Sequence, residues 1–244
     1  MSAYDETTYG ERIAEVYDDW HTGVFDEQAT IAALKELAGA GPVFELGIGT
    51  GRIALPLAAL GLEVHGLDAS AAMVAKLRAK PGGERIPVTI GNFAEVGTGS
   101  SFSLIFVAFN TFFMLTSQEE QVRCFANVAA HLTAGGLFLI EAFVPDHTRF
   151  IRHQVTQVTK VETDQVRLET SQHDPVHQRC ISQHVVISKA GIKLYPIEVR
   201  YAWPSELDLM ARLAGMRLRE RWSGWRRGPF TAASSSHISV YERV

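Results

Sequence analysis

Long apolar runs are missing from this chain, and cysteine is scarce. No uncharged hydrophobic stretch approaches the ~20 residues of a membrane-spanning helix. The opening residues Met1-Ser-Ala-Tyr-Asp-Glu6 lack the basic, then apolar, then small-residue order of a secretory leader. A soluble, cytoplasmic chain is therefore expected, with its two cysteines, Cys124 and Cys180, as reduced thiols. An excess of positive charge is missing as well. The 23 Lys and Arg against 27 Asp and Glu leave a formal charge of −4, which gives no general attraction to nucleic acid or to an anionic membrane. The acidic cluster of a magnesium-dependent site is absent, and His173, His177 and Cys180, whose spacing hints at a metal, straddle a turn without a convincing fourth ligand. No metal is expected.

What is present is one domain's worth of material, 244 residues of which 46% are hydrophobic, and a hydrophobic period that changes along it. Ile13, Val16, Tyr17 and Trp20 recur at helical spacing, and Ile31 to Leu37 predict a second helix that stops at Gly39-Ala-Gly41-Pro42. Short apolar runs then alternate with helical or turn-rich stretches: Val43 to Leu46, Val64 to Leu67, Val88 to Ile90, Leu104 to Phe109 and Leu137 to Ile140. That order predicts an α/β fold, a doubly wound and mostly parallel sheet with helices on both faces. Beyond Pro145 three strands are predicted, over Gln165 to Thr170, Arg179 to Ser188 and Ile192 to Tyr201, forming an antiparallel flap inserted after the fifth strand. Ser205 is expected to cap a helix ending at Gly215, and closing strands are expected near Arg217 to Trp222 and His237 to Glu242. The whole reads as one unit: a helical lid over 1–41, a ligand-binding core over 42–144, the flap over 150–203 and a closing segment over 204–244.

The strongest local signal is Glu45-Leu-Gly47-Ile-Gly49-Thr-Gly51-Arg52, between a buried strand and the helix-like run Ile53 to Leu60. Such a turn lets a ligand approach the backbone closely at the positive end of a helix. A dinucleotide fold wants a further glycine three places after the second, where this chain has Arg52; its glycines fall at alternate positions instead. Asp68 ends the next apolar run, where a carboxylate can accept both ribose hydroxyls of an adenosine ligand or, equally, cap the helix that follows. After the third run, Asn92 is placed to hydrogen-bond an adenine, with Phe93 or Met73 against the ring.

On these three sites the chain resembles the class I S-adenosylmethionine-dependent methyltransferases, with their Rossmann-like sheet, over nearly its whole length. Tyr9 to Trp20, Asn110-Thr-Phe-Phe113, His131 to Gly136 and the tail from Tyr201 to Arg243 are similar to bacterial natural-product methyltransferases, namely aminosugar N,N-dimethyltransferases and the cypemycin-type peptide N-methyltransferase. Two positions depart from the family: Asn92, commonly aspartate there, and Ser103, where relatives usually place an aspartate before the fourth strand. The resemblance implies S-adenosyl-L-methionine as cofactor, held by Tyr9, Tyr17, Glu45, Gly47, Gly49, Gly51, Asp68, Ala69, Met73, Asn92, Phe93 and Phe109. It leaves Tyr17 open between a ligand-covering residue and a core residue on the apolar stripe.

Ligands of such sheets gather beyond the carboxyl ends of the strands. Glu141 and His147 are therefore the expected polar participants in catalysis, and Asn110, Tyr195, Tyr201 and Trp225 the expected acceptor-site residues. The expected reaction is methyl transfer to nitrogen or oxygen of a small molecule in secondary metabolism. A peptide amino terminus is the alternative acceptor, and a binding module that transfers nothing is the alternative of another class. Whether the chain forms a homodimer is left open.

Overall fold

The computed structural model describes residues 4–23, 26–95, 97 and 99–244. Met1 to Ala3, within the segment read as lacking a leader, lie outside them. The first helical stripe folds as two short helices, α1 (Thr8–Ile13) and α2 (Tyr17–His21), broken by a turn at residues 14–16. Helix α3 (Glu27–Ala38) starts where the Asp26 carboxylate accepts the Ala29 N–H and stops at Gly39, whose φ is 61°.

Strands β1 (Val43–Leu46), β2 (Val64–Asp68), β3 (Val88–Ile90), β4 (Phe102–Val107) and β5 (Leu132–Phe143) pair in parallel, in the order β5-β4-β1-β2-β3. Between them run α4 (Ala54–Ala59), α5 (Ala71–Arg78) and α6 (Gln118–His131). The strand β11 (Ser236–Arg243) adds antiparallel to β5, and β10 (Met216–Trp222) adds to β11, completing seven strands. Two cores flank the sheet, one around Phe44, Phe112, Phe125 and Tyr241, the other around Leu34, Leu57, Phe106 and Val240. Strand order reverses between β1 and β4, so the cleft above their carboxyl ends is where a ligand belongs. Ser103 donates its hydroxyl to the carbonyls of Ala38 and Pro42, both at 3.1 Å, so a serine at this departure from the family closes the turn from α3 into β1.

The flap has four strands where three are expected: β6 (Gln154–Val161), β7 (Gln165–Asp174), β8 (Arg179–Ser188) and β9 (Gly191–Arg200), antiparallel in that order. It is tied down by Arg200, 6% exposed, which donates to Gln121 of α6 at 2.6 Å and to Glu206 at 2.7 Å. Glu206 lies on α7 (Pro204–Leu213), whose N-cap is Trp203 rather than Ser205, with Pro204 in the first turn where its missing N–H costs nothing. Among the described residues no helix is long and apolar enough to cross a membrane.

Candidate functional site

The turn after β1 carries three glycines in the left-handed region, with φ of 71° at Gly47, 54° at Gly49 and 77° at Gly51. Glycine holds that conformation without the steric cost that most side chains bring. Their bare backbones serve different ends. A Cβ on Gly47 would meet Thr111 Cγ2 at 2.6 Å, and one on Gly51 would meet Leu77 Cδ1 at 2.5 Å, whereas at Gly49 the nearest atom, Met73 Cε, is 3.5 Å away. Gly51 is therefore a packing position, and Gly47 and Gly49 line a cavity of about 280 Å³.

Asp68 faces the same cavity from the end of β2. Its Oδ2 accepts the Gly49 N–H at 2.7 Å and its Oδ1 accepts the Ser70 N–H at 2.9 Å, so it fixes the glycine turn and the start of α5 together. The cap of α5 is Ser70, whose hydroxyl accepts the Met73 N–H at 3.2 Å. Each carboxylate oxygen keeps a second lone pair for a ligand, and burial raises the carboxyl above its ordinary range despite those two bonds. Ala69, Met73, Asn92 and Phe93 line the cavity too, as do Tyr9 and Tyr17 from the lid. Asn92 Oδ1 accepts the Ala94 N–H at 2.8 Å and keeps a second lone pair that can accept from the amino group of an adenine.

Glu45 lies below this cavity, against a void of about 20 Å³ shared with Tyr17, Gly47 and Gly49. It is 4% exposed, its Oε2 meets no hydrogen-bond partner, and burial drives its carboxyl well above the usual range. A buried acceptor left unsatisfied is costly, and it fits a ligand that brings a cationic donor. Phe109, expected to touch the cofactor, lines this void and also a second cavity, with the Arg52 guanidinium 3.8 Å from its ring centroid.

The second cavity, of about 480 Å³, lies between the core and the flap. Alternate residues of β7 and β8 share one face of the sheet. They place Glu169, Ser171, Cys180, Ser182 and His184 on its wall, with Ser171 and Ser182 hydroxyls 2.7 Å apart. Asn110, His147 and Tyr201 also line it, as the sequence led us to expect. The Tyr201 hydroxyl bridges Nε2 of His147 at 2.8 Å and Nε2 of His173 at 3.0 Å, and His173 stacks on Phe150. His177 turns away to Asp174, 2.7 Å distant.

Three expected participants stand elsewhere. Glu141 lines neither cavity, because both its carboxylate oxygens are engaged, Oε2 by the Phe109 N–H at 2.9 Å and Oε1 by the Trp225 indole N–H at 2.8 Å. That bond holds Trp225 behind the site rather than in it. Tyr195 packs edge-on against Trp20, with ring centroids 4.9 Å apart, and joins lid to flap. Conversely, nothing in their residue types marks Thr111 or Met114 as lining a site. With Tyr9 and Tyr17 they line both cavities and so stand where the two adjoin.

The lid is bolted over the first cavity by acids. Glu11 accepts from the Ser70 hydroxyl at 2.9 Å and the Ala72 N–H at 3.0 Å; Asp18 accepts from the Thr50 hydroxyl at 2.6 Å and pairs with Lys80 at 2.7 Å.

Known proteins resemble the chain in sequence and in fold. Residues 43–136 match the family model of a methyltransferase domain. The chain is 42% identical to the CcbJ methyltransferase of Streptomyces caelestis, whose structure superposes with a TM-score of 0.93 over 99% of this chain and 100% of that one. It is 26% identical, over 98% of its own length and 99% of the relative's, to the cypemycin N-terminal methyltransferase of a Streptomyces species. An amino pentose methyltransferase from Micromonospora echinaspora, 20% identical, shares the fold with a TM-score of 0.69 over 100% of this chain and 99% of that one.

Proposed function

Because this chain belongs to the class I S-adenosylmethionine-dependent methyltransferases, we propose that it methylates an amine nitrogen of a small, hydroxyl-rich acceptor in natural-product biosynthesis. The observation that carries this reading is that Tyr9, Tyr17, Thr111 and Met114 line both the cavity of the glycine turn and the cavity of the flap, so the two lie side by side.

In this reading Asp68 takes the ribose hydroxyls of S-adenosyl-L-methionine, and Met73, Asn92 and Phe93 hold the adenine. Glu45, with its unsatisfied oxygen, and the lid tyrosines attend the methionine end. Bound there, the cofactor supplies a methyl group already activated by its sulfonium. The chain's own work is then to bring an acceptor lone pair into line with it, and positioning of that kind is worth up to ~7–11 kcal/mol. Asn110, Ser171, Ser182 and His184 offer hydrogen bonds suited to a polyol. An acceptor amine must arrive without its extra proton, and His147, tethered through Nε2 to Tyr201, keeps Nδ1 to receive one.

Likeness to the cypemycin enzyme supports an α-amino terminus of a peptide as the second reading; it needs the same deprotonated amine. We further place the protein in the cytoplasm, on its two free thiols, and apart from nucleic acid and membranes, on its net negative charge. The test is mass spectrometry of products formed from deuteromethyl-labelled S-adenosylmethionine with methyl α-D-glucosaminide, its N-acetyl derivative and an alanine-terminated tetrapeptide. Label on the free amino sugar and none on the N-acetyl form is expected. Label on the tetrapeptide alone would favour the peptide reading, and transfer to oxygen of the N-acetyl form would overturn both. Cofactor binding without transfer to any amine would favour a binding module.

A further inference from the structure

The turn after β4 lines the second cavity and leads into Thr111, which lines both, and the turn's backbone is held from behind. Phe109 and Asn110 have φ of 58° and 63°, two consecutive side-chain-bearing residues in the left-handed region. Asparagine tolerates that region and phenylalanine does not, so something outside the turn must fix it. The neighbouring strand supplies the fixture. Glu141 Oε2 accepts the Phe109 N–H at 2.9 Å, and the Glu141 backbone carbonyl accepts the Asn110 N–H at 3.1 Å. The other carboxylate oxygen accepts the indole N–H of Trp225 at 2.8 Å, from the long loop between β10 and β11. The turn also anchors itself forward, where Asn110 Oδ1 accepts the Phe143 N–H at 2.7 Å.

We propose that Glu141, clamped by the Trp225 indole, is a positioning residue. Through the Phe109–Asn110 turn it sets the wall that aligns the acceptor with the cofactor, an inference resting on the acceptor reading above. A carboxylate suits this place because both of its oxygens accept and both neighbours donate. Glutamine would present an amide N–H₂ to one of the two donors, so Glu141→Gln alone is a mismatch. Removing the indole N–H should cure it. In Glu141→Gln with Trp225→Phe, the glutamine oxygen can take the Phe109 N–H while its N–H₂ faces the space the indole nitrogen vacated.

The experiment measures amide hydrogen exchange at Phe109 by NMR in the full chain, in wild type, Glu141→Gln, Trp225→Phe and the double variant. Transfer from S-adenosylmethionine to methyl α-D-glucosaminide is measured alongside. Exchange at Phe109 should rise about tenfold or more in Glu141→Gln, the scale of losing a hydrogen bond to a charged group, with transfer falling in step. The double variant should return both to within about threefold of Trp225→Phe. Unchanged exchange in Glu141→Gln, or no recovery in the double variant, overturns the inference. So does a double variant that fails to fold, since Glu141 would then be holding the fold rather than the turn. Exchange that behaves as described in an enzyme inert toward every amine would count against the acceptor reading and leave the strut standing.

Discussion

The hydroxyl of Tyr201 lies 2.8 Å from Nε2 of His147, at the foot of the flap and on the wall of the second cavity. That single phenolic proton also has His173 Nε2 to serve, at 3.0 Å. When the hydroxyl donates to His173 it accepts from His147, and His147 Nδ1 then carries a lone pair. Burial, with His147 and His153 nearby, lowers the His173 pKa and favours its neutral form.

Tyr201→Phe keeps the ring and removes the bridge. Its unfolding free energy should fall by about 1–2 kcal/mol, the cost of stranding a buried partner, and transfer should fall further than acceptor affinity. The sign of the pH effect follows from His173. Its folded pKa is depressed, so its neutral burial costs nothing above the unfolded value of about 6.5 and loses stability as pH drops below it. Thermal unfolding from pH 8 to pH 5 checks this: His173→Gln should flatten the acid-side decline, and a decline as steep as in wild type would contradict it.

Glu45 tests whether the unsatisfied carboxylate is kept for the ligand. Its folded pKa is raised well above the ordinary value by burial. Stability is therefore greatest below the unfolded pKa of about 4.3 and is lost as pH rises from there toward the folded value. Glu45→Gln should raise the melting temperature of the ligand-free protein at pH 8 by roughly 2–6 °C, if about 1–2 kcal/mol is relieved, and by little at pH 4.5. The same variant should bind S-adenosylmethionine more weakly. Equal melting temperatures at pH 8 together with unchanged binding would refute the assignment.

The lid should release ligand faster once unbolted. Glu11→Ala removes the acceptor for the Ser70 hydroxyl and the Ala72 N–H, and Asp18→Asn removes the charge paired with Lys80. Both pairs are partly exposed, so the effect should be modest and, for Asp18, weaken with added salt. Stopped-flow dissociation of S-adenosylhomocysteine should be several-fold faster in each variant. Identical dissociation rates would mean that α1 and α2 do not gate the cavity.

Much of this fold is legible in the residues, and the exceptions have physical causes. The alternate glycines and Asp68 were readable because positive φ and a carboxylate at a strand end leave a signature in residue type. Strand β6 was not. Its Val155, Val158 and Val161 recur every third residue, so the period-two signal of a strand is lost, and only the register shift between Val158 and Lys160 brings Val158 and Val161 onto one face. The left-handed Phe109 carries no such signature, since nothing in phenylalanine announces a positive φ. Glu141 was readable as a polar residue near the strand ends but not as one with both oxygens engaged, because its partner Trp225 comes from a distant loop. Ser205 has the residue type of a cap, but Pro204 occupies the first helical position and moves the cap to Trp203. Of the departures from the family, Asn92 lines the cavity and Ser103 seals a turn outside it.

The most direct test of the account is isothermal titration of wild type and Asp68→Ala with S-adenosylmethionine and with NAD. Wild type should bind S-adenosylmethionine and not NAD, and Asp68→Ala should lose about 1–3 kcal/mol of that affinity, as expected when a charged hydrogen-bond acceptor is removed. Unchanged affinity in Asp68→Ala, or binding of NAD in place of S-adenosylmethionine, would contradict the placement of the adenosyl group against the glycine turn.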